Sequence, residues 1–174
     1  MEQSPSEQSP HEPDPSKGGP DWAALRGRIG TLHGHDRILL IASVGYVVAT
    51  FLPWYEASIG PAVSVSDGAW NVGALGIMAA LLGLSTATVT VLTAFGIWRI
   101  GRESSALLAI VLAPATLFFT FLRLVIDPPG AAVTQFTFGF VKVSRGFGLW
   151  VAVALAIVMT VGAVQKFRDA AALR

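Results

Sequence analysis

The sequence predicts an all-α membrane protein: a four-transmembrane-helix bundle with a small extracytoplasmic β cap made from its two outer loops. Two observations lead to this fold class. Of the 174 residues, 53% are hydrophobic and only 13% are charged, which is more apolar than an ordinary soluble domain. The apolar residues also lie in four long runs, each long enough or nearly long enough to cross a hydrocarbon core of about 30 Å.

The longest run, from Gly73 to Trp98, has 26 residues and carries no charge. Small residues recur along it at alternating spacings of three and four, which places them on one face of a helix. This small-residue seam consists of Gly73, Gly76, Ala80, Gly83, Ala87, Thr90 and Ala94. Small side chains let a neighbouring helix approach closely in a membrane. The seam therefore predicts tight packing inside the bundle, with an oligomer interface as the alternative.

The other three predicted spans cover about residues 38–54, 106–126 and 147–164. The third span has a seam of its own, and Pro114 in its middle predicts a kink, because proline removes one helical hydrogen bond. The residues of this second seam are Ala106, Ala109, Ala113, Thr116, Thr120 and Arg123. The four spans form a predicted transmembrane domain over residues 36–165.

The positions of Lys and Arg predict how the chain is oriented. Nine of the twelve lie in the N-terminal tail, in the loop between the second and third spans, or in the C-terminal tail. The other three are Arg123, Lys142 and Arg145. Because short cytoplasmic segments are enriched in Lys and Arg, we expect a multi-pass protein of a bacterial plasma membrane with both termini in the cytoplasm.

Both tails are predicted to be cytoplasmic, over residues 1–35 and 166–174. The first 20 residues are too polar to offset the entropy of ordering and are predicted to be disordered. Apolar residues at helical spacing from Trp22 to Leu32 predict a helix lying on the membrane surface, with a frayed linker as the alternative. His33, His35 and Asp36 raise the question of a metal cluster, but we favour a solvated turn.

The two outer loops are predicted to be extended. Val63 and Val65 alternate with serines in the first loop, and Phe136, Phe138 and Phe140 share one face in the second. Because a lone hairpin is marginally stable in water, we expect the two loops to pair into one small sheet. The phenylalanine row would then pack onto the helix ends or the membrane surface. Binding of a lipid or a partner by this row is the alternative.

Arg123, near the outer end of the third span, is the candidate polar site, since an ionisable residue within a span is a functional candidate. Three carboxylates could neutralise it: Asp127, four residues further on, and Glu56 and Asp67 of the first outer loop. We favour a first-loop carboxylate, because Pro128 ends the helix and turns Asp127 away. A substrate or lipid-headgroup site is the alternative to a structural ion pair.

Several function classes find no support in the sequence. The chain has no Cys, which excludes disulfides, thiolate catalysis and Cys-ligated metals. No hydrolase, phosphate-loop, zinc-protease or dinucleotide-binding motif is present, so we expect neither an enzyme nor a bound cofactor. The net charge of +1 argues against a nucleic-acid-binding protein.

Four short motifs carry a resemblance to a known family. They are Leu52-Pro53-Trp54-Tyr55, Gly68-Ala69-Trp70, Asp127-Pro128-Pro129 and Gly146-Phe147-Gly148-Leu149-Trp150. In these motifs the chain resembles small four-span integral membrane proteins common in actinobacteria. That family is uncharacterised, so the resemblance implies a fold and no activity.

The function expected from the sequence is that of a non-enzymatic accessory or scaffold subunit of an envelope complex. The expected partners are the lipid bilayer and another membrane protein or a second copy of this chain. The alternative is a small-molecule or lipid-handling protein that works as an oligomer around Arg123.

Overall fold

The computed structural model describes residue 27 and residues 34–59, 63–98, 101–126 and 141–172. Within these residues the chain is mostly helical, as predicted, and forms four helices and three short strands. The helices are α1 (Gly34–Ala49), α2 (Ala74–Ala94), α3 (Arg102–Val125) and α4 (Phe147–Ala171). The strands are β1 (Tyr55–Ile59), β2 (Val63–Asp67) and β3 (Val141–Arg145).

Three of these helices, α2, α3 and α4, are long and apolar enough to cross a membrane. Helix α1 has 16 residues, so it is about 24 Å long and shorter than a hydrocarbon core. The helices carry large apolar side chains on their outer surfaces, such as Ile41 on α1, Val111 on α3 and Val161 on α4. A bundle with this surface suits a lipid environment.

The helices form a closed ring in which each packs against the next and α4 packs against α1. Their shared core is built mainly from alanine, which allows the backbones to approach closely. Four larger side chains are fully buried among these alanines: Leu39, Tyr46, Leu149 and Met159. The small core residues therefore leave room for a few bulky ones, and Tyr46 is the one that is polar.

The strands form one antiparallel sheet in the order β2-β1-β3. Strands β1 and β2 come from the first predicted loop and β3 from the second, so the expected pairing of the two loops is present. The register places polar residues together on one face, because successive residues of a strand point to opposite faces. The residues of this polar face are Glu56, Ser58, Ser64, Ser66, Lys142 and Ser144.

Two predicted boundaries differ from the structure. The first span was expected to continue to Trp54, but α1 ends at Ala49 and the chain turns before Pro53. Trp54, which follows this turn, is fully buried. At the other end, α4 continues to Ala171 and buries Lys166, a residue expected to begin a cytoplasmic tail.

Several predictions fall outside the described residues. They include the disordered tail and surface helix, apart from residues 27, 34 and 35, and the phenylalanine row of the second loop. Asp127 also lies outside them.

Candidate functional site

The sheet is joined to the helices at residues 50–55, a segment that we call the Pro53 junction. The first residues of the α4 region bind it through their backbone. Gly148 N–H donates to the carbonyl of Pro53, and Gly146 N–H donates to the carbonyl of Trp54, both at 2.8 Å. The start of α4 is therefore fixed directly to the segment that connects α1 with β1.

The loop before α2 binds the same junction from another side. Ala69 N–H donates to the carbonyl of Thr50 at 3.0 Å, and the Trp70 indole donates to Thr50 Oγ1 at 3.2 Å. The buried Trp54 indole donates to the carbonyl of Ala49 at 2.9 Å, which occupies a carbonyl at the end of α1. Three of the four motifs behind the family resemblance thus meet at this place and hold the fold together.

The approach at the junction is too close for side chains at three glycines. A Cβ atom at Gly146 would overlap with the carbonyl oxygen of Pro53, and one at Gly148 would lie 2.7 Å from the same oxygen. A Cβ atom at Gly68 would lie 2.9 Å from the carbonyl oxygen of Thr50. Backbone atoms cannot move aside as a flexible side chain can. The glycines of these motifs are therefore explained by packing.

Arg123 lies in the last turn of α3 and is 5% exposed. Its Nη2 donates to the carbonyl of Val72 at 2.6 Å, and its guanidinium carbon lies 4.8 Å from the centre of the Tyr55 ring. The Tyr55 hydroxyl in turn donates to the carbonyl of Arg123 at 2.8 Å. These contacts join α3, β1 and the segment before α2 through one cation–π pair and two hydrogen bonds.

The predicted carboxylates of the first loop do not pair with Arg123. Among the described residues, the ion pairs all lie at the other end of the bundle. Glu56 is exposed and lies on the opposite face of β1 from Tyr55, while Asp67 accepts a hydrogen bond from Asn71 Nδ2 at 3.3 Å. Arg123 is directed instead at the Val72 carbonyl and the Tyr55 ring.

The small-residue seam of α2 is mostly packed inside the bundle. Its buried members are Gly76, Ala80, Gly83, Ala87 and Thr90. At Gly83, an added Cβ would overlap with the ring of Tyr46 from α1. Gly73 differs from the others, since it is exposed at the N-terminal cap of α2 with φ of 91°. Gly73 allows a backbone conformation with positive φ, and Gly83 allows α1 and α2 to approach closely.

The Tyr46 hydroxyl is the polar centre of the bundle. It lies 2.6 Å from Thr120 Oγ1 and 3.4 Å from the carbonyl oxygen of Ala79. Thr120 Oγ1 also lies 2.7 Å from the carbonyl oxygen of Thr116, so the two hydroxyls belong to one chain of hydrogen-bonding groups. One side chain thus links α1, α2 and α3. The sequence places Tyr46 and Thr120 on helix faces but gives no signal that pairs them.

A cluster of charged and polar side chains joins the start of α1 to the end of α4. Lys166 Nζ lies 3.0 Å from Asp36 Oδ1, and His35 Nδ1 lies 3.0 Å from Asp169 Oδ2. The side chains of His35 and Lys166 are each 10% exposed. The predicted solvated turn is wrong for His35 and Asp36, because both lie in α1 and α4 continues far enough to contact them. His33 lies outside the described residues. The sequence signal for these contacts is the spacing of Lys166 and Asp169, which are three residues apart and therefore lie on the same face of a helix.

Two features of the described residues bear on ligand binding. No group of three or more His, Cys, Asp or Glu side chains among them is placed to hold a metal ion. A cleft of about 120 Å³ lies beside the sheet, between Tyr55, Val65 and Val143 on one side and Asn71 and Val72 on the other. Its size suits water or a very small ligand.

The comparison with known proteins assigns no family to this chain, so its function is inferred from the geometry above. Neither the models of known protein families nor the characterised proteins contain a match to this chain.

Proposed function

We propose that this chain is an integral protein of a bacterial plasma membrane and a non-enzymatic accessory or scaffold subunit of an envelope complex. The observation that carries the proposal is the Pro53 junction. Within the described residues, it fixes a sheet whose outer strands are β2 and β3 to a closed ring of helices, through backbone bonds from two other segments. A surface held this firmly suits recognition of another protein.

The polar groups of the bundle support the same proposal. The Tyr46 hydroxyl, the Arg123 guanidinium and the Lys166 ammonium each bind a partner on another helix or on the segment before one. In each case the partner is a neutral oxygen or a carboxylate of this chain. Buried polar residues that satisfy one another stabilise a fold. Arg123 Nε is the exception in this set, since it has no hydrogen-bond partner among the described residues.

The proposed topology has four spans, with α1 as the first. Residues 50–52 continue α1 as hydrogen-bonded turns, so the apolar run extends beyond the helix itself. With nine of the twelve Lys and Arg on one side, both termini lie in the cytoplasm and the sheet lies outside. We also propose membership of the actinobacterial four-span type that its motifs resemble.

The second candidate function, lipid or small-molecule handling by an oligomer, rests on a groove between α1 and α2. The groove is open on one side, has a volume of about 320 Å³ and is lined almost wholly by apolar side chains. These are Val44, Val47, Val48, Leu84, Ala87, Thr88, Val91 and Leu92. An acyl chain would fit such a surface by hydrophobic contact.

Purification of the tagged chain from its native membrane in a mild detergent tests the proposal. A scaffold subunit should co-purify with another membrane protein in a fixed ratio, measured by native mass spectrometry. If the chain is recovered without a protein partner and with lipid bound, the second candidate function replaces the first.

A further inference from the structure

The two outer strands of the sheet differ in charge. All five residues of β2 are exposed, and they carry one acidic side chain, Asp67, at the end of the strand. Strand β3 carries two exposed basic side chains, Lys142 and Arg145, and Arg145 Nε donates to the carbonyl of Leu124 at 2.9 Å. No Lys or Arg occurs between residues 38 and 98. The sheet therefore has an acidic edge at β2 and a basic edge at β3.

The strand register places the acidic Asp67 and the basic Arg145 at the same position along their strands. Asp67 and Arg145 both lie opposite Tyr55, and Ser66 and Ser144 both lie opposite Glu56. Because β2 and β3 are each antiparallel to β1, they run in the same direction. A second copy that extends the sheet without offset would therefore set its β3 parallel to β2, with its Arg145 beside Asp67.

We propose that copies of this chain associate head to tail through these edges, with β2 of one copy pairing with β3 of the next. Exposed edge strands have unpaired backbone groups and bind other strands unless charges oppose the pairing. Lys142 and Arg145 oppose pairing of β3 with another β3 but attract the acidic edge. A head-to-tail contact of this kind closes into a ring or continues as a row. The inference is independent of the scaffold role, since it concerns contacts between copies.

Cysteine crosslinking tests the contact directly, because the natural chain has no Cys. In the Ser66→Cys/Ser144→Cys variant, the two positions of one chain flank Glu56. They lie two strand spacings apart, about 9.6 Å, which is beyond the reach of a disulfide. Between paired copies the spacing is about 4.8 Å, within that reach. Mild oxidation in native membranes should give a ladder of crosslinked species on a non-reducing gel.

Three control variants show whether the crosslinked species come from pairing of β2 with β3. The single variants Ser66→Cys and Ser144→Cys should each remain monomeric, as should Ser66→Cys/Ser104→Cys, whose second cysteine lies in the first turn of α3. A dimer from either single variant would show pairing of like edges and would overturn the proposal. So would the absence of a ladder from the double variant when its thermal unfolding matches that of the natural chain.

A charge exchange tests the attraction itself. In the double-cysteine background, Asp67→Arg should reduce the ladder several-fold, because it places like charges side by side. Adding Arg145→Asp should restore the ladder by reversing the pair. If Asp67→Arg leaves the ladder unchanged, or Arg145→Asp fails to restore it in a folded protein, the charge-matched contact is wrong.

Discussion

The hydroxyl of Tyr46 lies 2.6 Å from Thr120 Oγ1 and joins α1 to α3, two helices at opposite corners of the four-helix ring. The ring of the same tyrosine fills the space left by Gly83 on α2. A polar group buried within a bundle is stable when a neighbouring helix supplies its partner. Tyr46 therefore sets the spacing of three helices with one side chain.

Replacing Tyr46 by Phe should lower the stability of the bundle by about 1 kcal/mol, because Thr120 loses the phenol while the ring keeps its packing. The measurement is thermal unfolding in detergent. Thr88→Val is the matched control, since the exposed Thr88 hydroxyl bonds only to Leu84 of its own helix. Equal effects of the two variants would mean that the central hydrogen bond contributes nothing to stability.

Replacing Gly83 by Ala should destabilise the bundle by roughly 1–3 kcal/mol, because the new methyl group overlaps with the Tyr46 ring. The control is Gly45→Ala on α1, where an added Cβ would lie 3.5 Å from Leu155, an ordinary contact distance. Chemical or thermal denaturation of the purified variants measures both. A Gly83→Ala variant as stable as Gly45→Ala would show that α1 and α2 do not pack at this point.

Double-mutant cycles should find Arg123 coupled to Tyr55 and uncoupled from the first-loop carboxylates. Arg123→Gln combined with Tyr55→Leu should give a coupling energy of roughly 1–2 kcal/mol, from the buried cation–π contact. Combined with Glu56→Gln or Asp67→Asn, the coupling energy should stay below about 0.5 kcal/mol. Larger values for Glu56 or Asp67 would restore the ion pair expected from the sequence. The cycle with Asp127→Asn tests the remaining carboxylate.

Replacing Asp36 by Asn should destabilise the bundle by about 2 kcal/mol, because it leaves the buried Lys166 ammonium without its carboxylate. Adding Lys166→Met should recover part of that loss, since the unpaired charge is removed. Asp169→Asn is the control and should cost less than about 1 kcal/mol, because the Asp169 side chain is 54% exposed. If the double variant is as unstable as the sum of the single variants, Lys166 and Asp36 act separately.

The apolar runs and the position of the seam could be predicted from the sequence, because both follow from periodicity along a single helix. The register of the sheet could not, although Val63 and Val65 marked β2. Pairing depends on where the two loops are brought together, and the Pro53 junction decides that through backbone carbonyls. Backbone bonds of this kind leave no pattern in residue types apart from the glycines that permit them.

The surroundings of Arg123 were predicted only in part. Its place on the inner face of α3 followed from the seam that ends there, and its burial agrees with that. Its partner was expected to be a carboxylate, because charge pairing is the simplest way to stabilise a buried cation. A carbonyl and an aromatic ring can also stabilise it, and neither can be recognised as a partner until the helix ends are placed. The ion pair of Lys166 with Asp36 was missed for the same reason.

The most direct test of the proposed architecture is labelling of single cysteines in intact cells with a maleimide that cannot cross membranes. The variants are Ser4→Cys, Ser66→Cys, Ser104→Cys and Ala172→Cys. Four spans with an external sheet require that Ser66→Cys alone is labelled before the cells are permeabilised, and that all four are labelled afterwards. Labelling of Ser4→Cys and Ser66→Cys from the same side would show that α1 does not cross the membrane and would contradict the four-span topology.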